Sequence, residues 1–207
     1  MNCNGVCIST DNSKLGIIPN VSLPPIKTCI PNAPCTKSCY GRRFMVRFKN
    51  TRVAYDRNLE ILQRDSQEFF NTVNGYFKCF RPRYFRIHPA GDFNLSKTNP
   101  QINQDYLNSW FMLAANYPEI TFLAFTKCYE LDYSNCPENV TVIFSAWFDL
   151  PLPDALPDGV RGIAWVQNSA GDETRIPADA FKCLGNCDSC FECWELEQGK
   201  SVVFKLH

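Results

Sequence analysis

Several things are missing from this sequence, and each absence narrows it. No uncharged apolar run reaches about 18 residues, so no membrane-spanning helix is expected. The first residues, MNCNGVCISTDNSK, lack the basic-then-apolar pattern of a secretory signal, and a cytoplasmic location is the expectation. There is no internal repeat, no low-complexity tract and no G-x-S-x-G nucleophile elbow. Net charge is absent as well, because 21 Lys and Arg balance 21 Asp and Glu. What remains is 207 residues that are 45% hydrophobic and 14% aromatic, enough for one substantial core. One α/β domain over 1–207 is expected, with an irregular N-terminal segment over 1–50 and a cysteine-rich C-terminal segment over 180–207.

Cysteine is what the chain has in excess, with 12 in all. Disulfide scaffolds belong mainly to small secreted chains, which this sequence does not resemble, although an even count keeps that reading open. Clustered thiols in a reducing compartment more often hold metal, because neighbouring thiolates repel unless a cation neutralises them. The run CLGNCDSCFECW spaces Cys183, Cys187, Cys190 and Cys193 as C-x3-C-x2-C-x2-C. Structural zinc sites favour two separated pairs, whereas a continuous run resembles ferredoxin-type ligation. Gly185 and Ser189 help the backbone bend between ligands. The expected cofactor is an iron–sulfur cluster of the 4Fe–4S kind, with zinc as the alternative metal and unmetallated thiols as the third reading.

A second group, Cys29, Cys35 and Cys39, lies in TCIPNAPCTKSCYGRR. Three thiolates without a fourth leave one iron open to a substrate; alternatively, the fold brings both groups to one cluster. Cys79 and Cys128 read as packed thiols, and Cys3, Cys7 and Cys136 stay unassigned.

Prolines 19, 24, 25, 31 and 34 break up the first 35 residues. A loosely helical pattern covers 51–64, and a second helix is predicted from Asp65, which can cap it while Glu68 completes a capping box. Its apolar face takes Phe69, Phe70, Val73 and Phe77. Another helix is predicted over 103–116. Strands are predicted at 84–88, 120–125, 140–147, 162–167 and 201–206. Most are short apolar runs, as parallel strands covered on both faces should be. Helix and strand alternate mid-chain, so the predicted fold is α/β, with a mainly parallel sheet resembling a partial (βα) barrel and cysteine-rich cluster-binding loops.

In such sheets chemistry gathers at the carboxyl ends of strands. There stand His88, Gly91 and Asp92, then Thr126, Lys127 and Glu130, then Ser145 and Trp147. A histidine ending a strand serves as often in structure as in catalysis, Asp92 can simply cap a turn, and Lys127 can be a surface charge. Ser145 lacks an elbow and reads as structural. The charges are also unevenly placed. Residues 36–86 hold twelve Lys or Arg against four Asp or Glu, while 128–207 hold five against thirteen. The halves can attract each other in the fold, or the basic stretch with Arg42, Arg43, Arg47, Lys49, Arg52 and Arg57 can face an anionic ligand or nucleic acid.

The ordered motifs PNVSLPPIKTC, CYGRR, AYDRNLEIL, FRIHPAGDFN, FLAFTKCYELD, VIFSAW and the closing Cys-rich CW resemble the phage-borne family called gene product 88. That resemblance runs from about Lys14 onward and implies a viral or prophage origin, hence the host cytoplasm. More distantly, a cysteine triad followed by a helix and an α/β unit with a Gly-Asp turn resembles radical S-adenosylmethionine enzymes. There, the triad holds a cluster whose open iron binds the cofactor's methionine moiety; Asp92 or Glu130 would hold its amino group, with Gly91 and Arg42 alongside. The triad spacing departs from the usual C-x3-C-x2-C. Three functions are therefore expected in competition. One is a radical enzyme; another is an ester hydrolase-like enzyme with iron as Lewis acid and His88, Lys127, Asp92 or Tyr40 as acid, base or anion stabiliser, acting on a small molecule. The third is a non-enzymatic iron–sulfur binding or redox-sensing protein.

Overall fold

The computed structural model describes residues 5–10, 12–167 and 175–205. Its frame is one sheet of seven strands in the order β1-β2-β3-β4-β5-β7-β6, every neighbouring pair parallel. The strands are β1 (Asn20–Val21), β2 (Tyr84–Ile87), β3 (Thr121–Thr126), β4 (Val140–Ser145), β5 (Val160–Gln167), β6 (Phe181–Lys182) and β7 (Lys200–Lys205). The expected parallel α/β sheet is present, and it is open rather than closed into a barrel.

The helices are α1 (Tyr40–Arg47), α2 (Lys49–Arg64), α3 (Ser66–Phe80), α4 (Pro100–Ala115) and the short α5 (Cys187–Cys190). Asp65 caps α3 by accepting the Glu68 N–H at 3.1 Å. The capping box is only half made, because the Glu68 carboxylate pairs with Arg64 at 2.5 Å instead of reaching back. Helix α4 begins at Pro100, earlier than its apolar pattern suggests, with Asn99 accepting the Gln101 N–H and proline in the first turn.

Two expectations are corrected here. The segment before residue 50 is not wholly irregular: the last of its prolines is Pro34, and from Tyr40 the chain is helical. Helix and strand do not alternate through the middle either. Only α4 separates β2 from β3, and the crossovers 127–139 and 146–159 carry no helix, having just the dozen or so residues that a parallel return needs.

Alternation along each strand sends its side chains to two separate cores. Phe85, Ile87, Phe122, Ala124, Val142 and Phe144 face α2, α3 and α4, where they meet Leu59, Phe69, Phe77, Leu107 and Trp110. Tyr84, Leu123, Ile143, Ala164 and Val202 face the other way, towards Leu15, Ile18, Trp194 and Leu196. The second layer is thus made by the N-terminal loop and the cysteine-rich segment rather than by long helices. Trp194 is its peg: the indole N–H donates to the Phe85 carbonyl at 3.3 Å, and the Trp194 carbonyl accepts from Thr141 Oγ1 at 2.8 Å. Phe191 stacks on Tyr84 with centroids 4.4 Å apart, fixing the loop beside Cys190 to the sheet.

Candidate metal centre

Cys183, Cys187, Cys190 and Cys193 all line one shallow concavity on this second layer, together with Phe181, Phe191 and Trp194. Burial pushes the Cys193 thiol up to about 12, opposed by Arg86 and reinforced by the other three cysteines. Burial likewise raises Cys187, again against the pull of Arg86. Arg86 is only 6% exposed and lies on the same face of β2 as Tyr84. Its guanidinium sits 4.0 Å from the Phe125 ring centre, and no carboxylate pairs with it among the described residues. A buried cation without a carboxylate is costly unless other negative charge faces it. The groups whose ionisation would favour its charge are the Tyr40 hydroxyl, Cys193 and Cys187.

The N-terminal triad occupies a different place, at the carboxyl ends of the strands. Cys29 is pushed up to about 12 by burial, then by Asp92, Cys35 and Cys39. Burial also raises Cys35, while Lys127 draws it down. Two sulfurs already accept backbone N–H groups: Cys29 Sγ from Ile26 and Cys39 Sγ from Arg42, each at 3.4 Å. Cys39 thereby caps α1. Ile26 has φ +73, a left-handed conformation that a β-branched side chain resists, and Phe191 in the other cysteine loop has φ +55. Each such residue stores on the order of 1–3 kcal/mol, held in place by its surroundings.

The sulfurs are not yet gathered round a point. Among the described residues, no three His, Cys, Asp or Glu side chains form a group that could hold an ion as they stand. For either group to hold an ion, its thiols would have to move closer together than they stand here. All eleven described cysteines are free thiols, and Cys3 lies outside the described residues. Cys128 is packed as expected, whereas Cys79 is exposed at the end of α3, where its helix face meets solvent. Cys136 is half-buried and Cys7 lies beside Asn58, which brackets its backbone from both sides.

Around the triad the strand ends form one hydrogen-bonded chain. Asp92 is buried and accepts from Thr126 Oγ1 at 2.6 Å, Phe93 N at 2.8 Å and Lys127 N at 2.8 Å. Burial raises its carboxyl and these three donors oppose the rise. Asp92 therefore ties its own loop to the end of β3, with both oxygens already engaged. Gly91, at φ +87, lets this loop touch the segment bearing Cys29, since an added Cβ would lie 2.7 Å from Thr28 Oγ1. Its place is in the packing of these two segments. Lys127 Nζ donates to Ser145 Oγ at 2.6 Å, and Tyr129 OH donates to the Ser145 carbonyl at 2.6 Å. Lys97 reaches the Cys29 carbonyl and Asn94 Oδ1.

Four other candidates are placed elsewhere. Glu130 is exposed in the turn beyond Lys127, and the Arg42 side chain is exposed on α1. Tyr40 leaves 46% of its surface open, but its hydroxyl turns inward onto the Pro89 carbonyl, and desolvation there pushes it up to about 12. It feels one member of each cysteine group, Cys39 and Cys187.

His88 is not at the rim: it faces the helical core, stacked on Tyr106 with centroids 5.8 Å apart. Its Nδ1–H donates to the Val21 carbonyl at 3.3 Å, and in the neutral ring that burial favours, Nε2 accepts from Tyr106 OH at 2.8 Å. Burial lowers it from 6.5 to about 3. Between those values the unfolded chain binds the extra proton. The stability contributed by the neutral ring is therefore full above pH 6.5 and is lost as pH falls towards 3. About 2 kcal/mol should be gone by pH 5. In urea melts at pH 7 and pH 5, His88→Asn, a residue that tolerates the local φ of +49, should lose less stability than the parent by about that amount. Equal losses in both proteins would refute the neutral buried ring.

Arg86 and Trp194 were not singled out from the sequence. Alternation carries the signal for Arg86: in YFRI it shares its parity with Tyr84 and so leaves the face of Phe85 and Ile87.

The family model of gene product 88 matches residues 7–196. The chain belongs to the gene product 88 family. The match spans both cysteine groups and the strand ends that carry Asp92, Lys127 and Ser145. No curated protein and no solved structure matches the chain. The gene product 88 fold described here has no helix long and apolar enough to cross a membrane among its described residues.

Proposed function

We propose that this gene product 88 chain is a phage-type iron–sulfur protein with two thiolate sites, acting as an enzyme in the host cytoplasm. One site uses Cys183, Cys187, Cys190 and Cys193; the other uses Cys29, Cys35 and Cys39. The observation that carries the reading is the single concavity lined by four cysteines beside a buried arginine that no carboxylate pairs with among the described residues. An all-sulfur donor set suits iron–sulfur or zinc, and the uninterrupted run favours the former. When bound, such a cluster supplies electron transfer or, where only three thiolates hold it, Lewis acidity at the remaining iron.

The side chains beside the triad favour hydrolytic over radical chemistry. Asp92 has its oxygens occupied by Thr126, Phe93 and Lys127, which leaves it a poor holder for the amino group of S-adenosylmethionine. Lys127 and Ser145 are half-buried and mutually hydrogen-bonded, a cation and a hydroxyl set to orient the oxygen of an ester or carboxylate.

Anaerobic purification followed by iron, sulfide and zinc analysis tests the cofactor. Brown protein with iron and acid-labile sulfide in similar amounts is expected; stoichiometric zinc without sulfide, in cells given adequate iron, would overturn it. The same preparation should turn over activated esters and lose that activity in Ser145→Ala. Reductive cleavage of S-adenosylmethionine without ester turnover would move the reaction to the radical class.

A further inference from the structure

We infer that the outer face of α1 and the start of α2 bind a single-stranded polynucleotide. The inference does not depend on the metal reading. Over residues 36–55 the sequence holds six Lys or Arg and no Asp or Glu. Arg42, Arg47, Lys49 and Arg52 are exposed, and none forms an ion pair among the described residues. A solvated structural face would interleave acids with these cations, as α2 does one turn later with Asp56 and Glu60.

Charge alone would suit any polyanion; the rings narrow the choice. Tyr40, Phe44 and Phe48 follow one another at four-residue spacing, with centroids 6.5 and 5.5 Å apart. Phe44 is 43% and Phe48 44% exposed, and the Arg47 guanidinium lies 5.4 Å from the Phe48 ring centre. Aromatic faces flanked by cations are the means by which proteins hold unpaired bases and their phosphates together. A duplex keeps its base faces stacked and gains nothing from the rings. An acidic peptide offers charge but no flat partner. A bilayer surface would need a continuous apolar face free to sink about 5–10 Å; here the exposed Val46 and Val53 are interspersed in sequence with Arg47, Lys49 and Arg52, and Phe44 and Phe48 are each more than half packed against the protein.

The test uses whole purified protein and fluorescence anisotropy of labelled 15-nucleotide single strands, one of DNA and one of RNA, with a 15-base-pair DNA duplex as comparison. Binding of at least one strand in the micromolar range at low salt is expected, tighter than the duplex. Four phosphate contacts set a slope of log K against log salt of about −3. Arg47→Gln with Arg52→Gln, both on the surface, should flatten it to about −1.5. Phe44→Ala with Phe48→Ala should weaken binding about tenfold or more while leaving the helical circular dichroism in place. Binding of neither strand, equal affinity for the duplex, or tighter binding to polyglutamate or to phosphatidylserine vesicles would each overturn the assignment.

Discussion

Cys39→Ser should retain roughly half of the parent protein's iron, and Cys190→Ser should retain the other half, on the logic that each complete set of thiolates loads by itself. The expectation comes from which thiols act on which. The charges acting on Cys29 are Asp92, Cys35 and Cys39, and those acting on Cys193 are Arg86, Cys183, Cys187 and Cys190. One group lies at the strand ends and the other on the face covered by Trp194. The Tyr40 hydroxyl feels one member of each group, Cys39 and Cys187. Serine is the right replacement at Cys39 because that side chain also caps α1, and a serine hydroxyl accepts the Arg42 N–H at least as well. The helix stays, so any iron lost reports on ligation rather than on folding. The double variant should bind none. Complete loss from either single variant would mean one shared cluster, and full iron in Cys39→Ser with an unchanged spectrum would remove the triad as a ligand set.

The parallel sheet could be read from sequence because strands covered on both faces run mostly apolar. ITFLAF, VTVIFSAW and GIAWVQ accordingly mark β3, β4 and β5 to within a residue or two. β1 escaped notice because two residues after Pro19 carry no period at all, and their strand exists only through pairing with Arg86 and Ile87. The missing crossover helices escaped for the opposite reason. Residues 127–139 and 146–159 cross the sheet on turns and on contacts such as Tyr129 OH to the Ser145 carbonyl and Cys136 Sγ to the Val140 carbonyl, which local sequence does not announce. At the site, spacing exposed both cysteine groups, and strand ends exposed Asp92, Lys127 and Ser145. His88 ended the same strand yet turned into the core, because its φ of +49 swings the ring towards Tyr106. A one-dimensional pattern places a residue at an edge; the direction of its side chain is decided by the backbone angle and by what packs there.

Trp194→Ala should show the largest loss of stability among single substitutions outside the ligands, about 3–5 kcal/mol in urea unfolding. The side chain is 3% exposed, its ring lies edge-on to Tyr84 at 5.8 Å between centroids, and its N–H is the one that satisfies the Phe85 carbonyl from this layer. Alanine leaves a cavity between sheet and loop and withdraws that donor, two costs that add. Because Trp194 directly follows Cys193, the loss is also spatially selective. The 183–193 loop keeps the Phe191–Tyr84 stack and the half-buried cysteines against the sheet but loses its largest buried anchor, so its site should lose iron first. The triad hangs instead on Thr28, Asp92 and Asn94, which Trp194 does not touch, and should keep its roughly half share under the same loading logic. Trp194→Phe refills most of the volume without the N–H and should cost only about 1 kcal/mol, the net worth of one hydrogen bond. Wild-type stability in Trp194→Ala would mean that the cysteine-rich layer is not held to the sheet through this residue, and equal iron loss from both sites would mean that the two layers unfold as one.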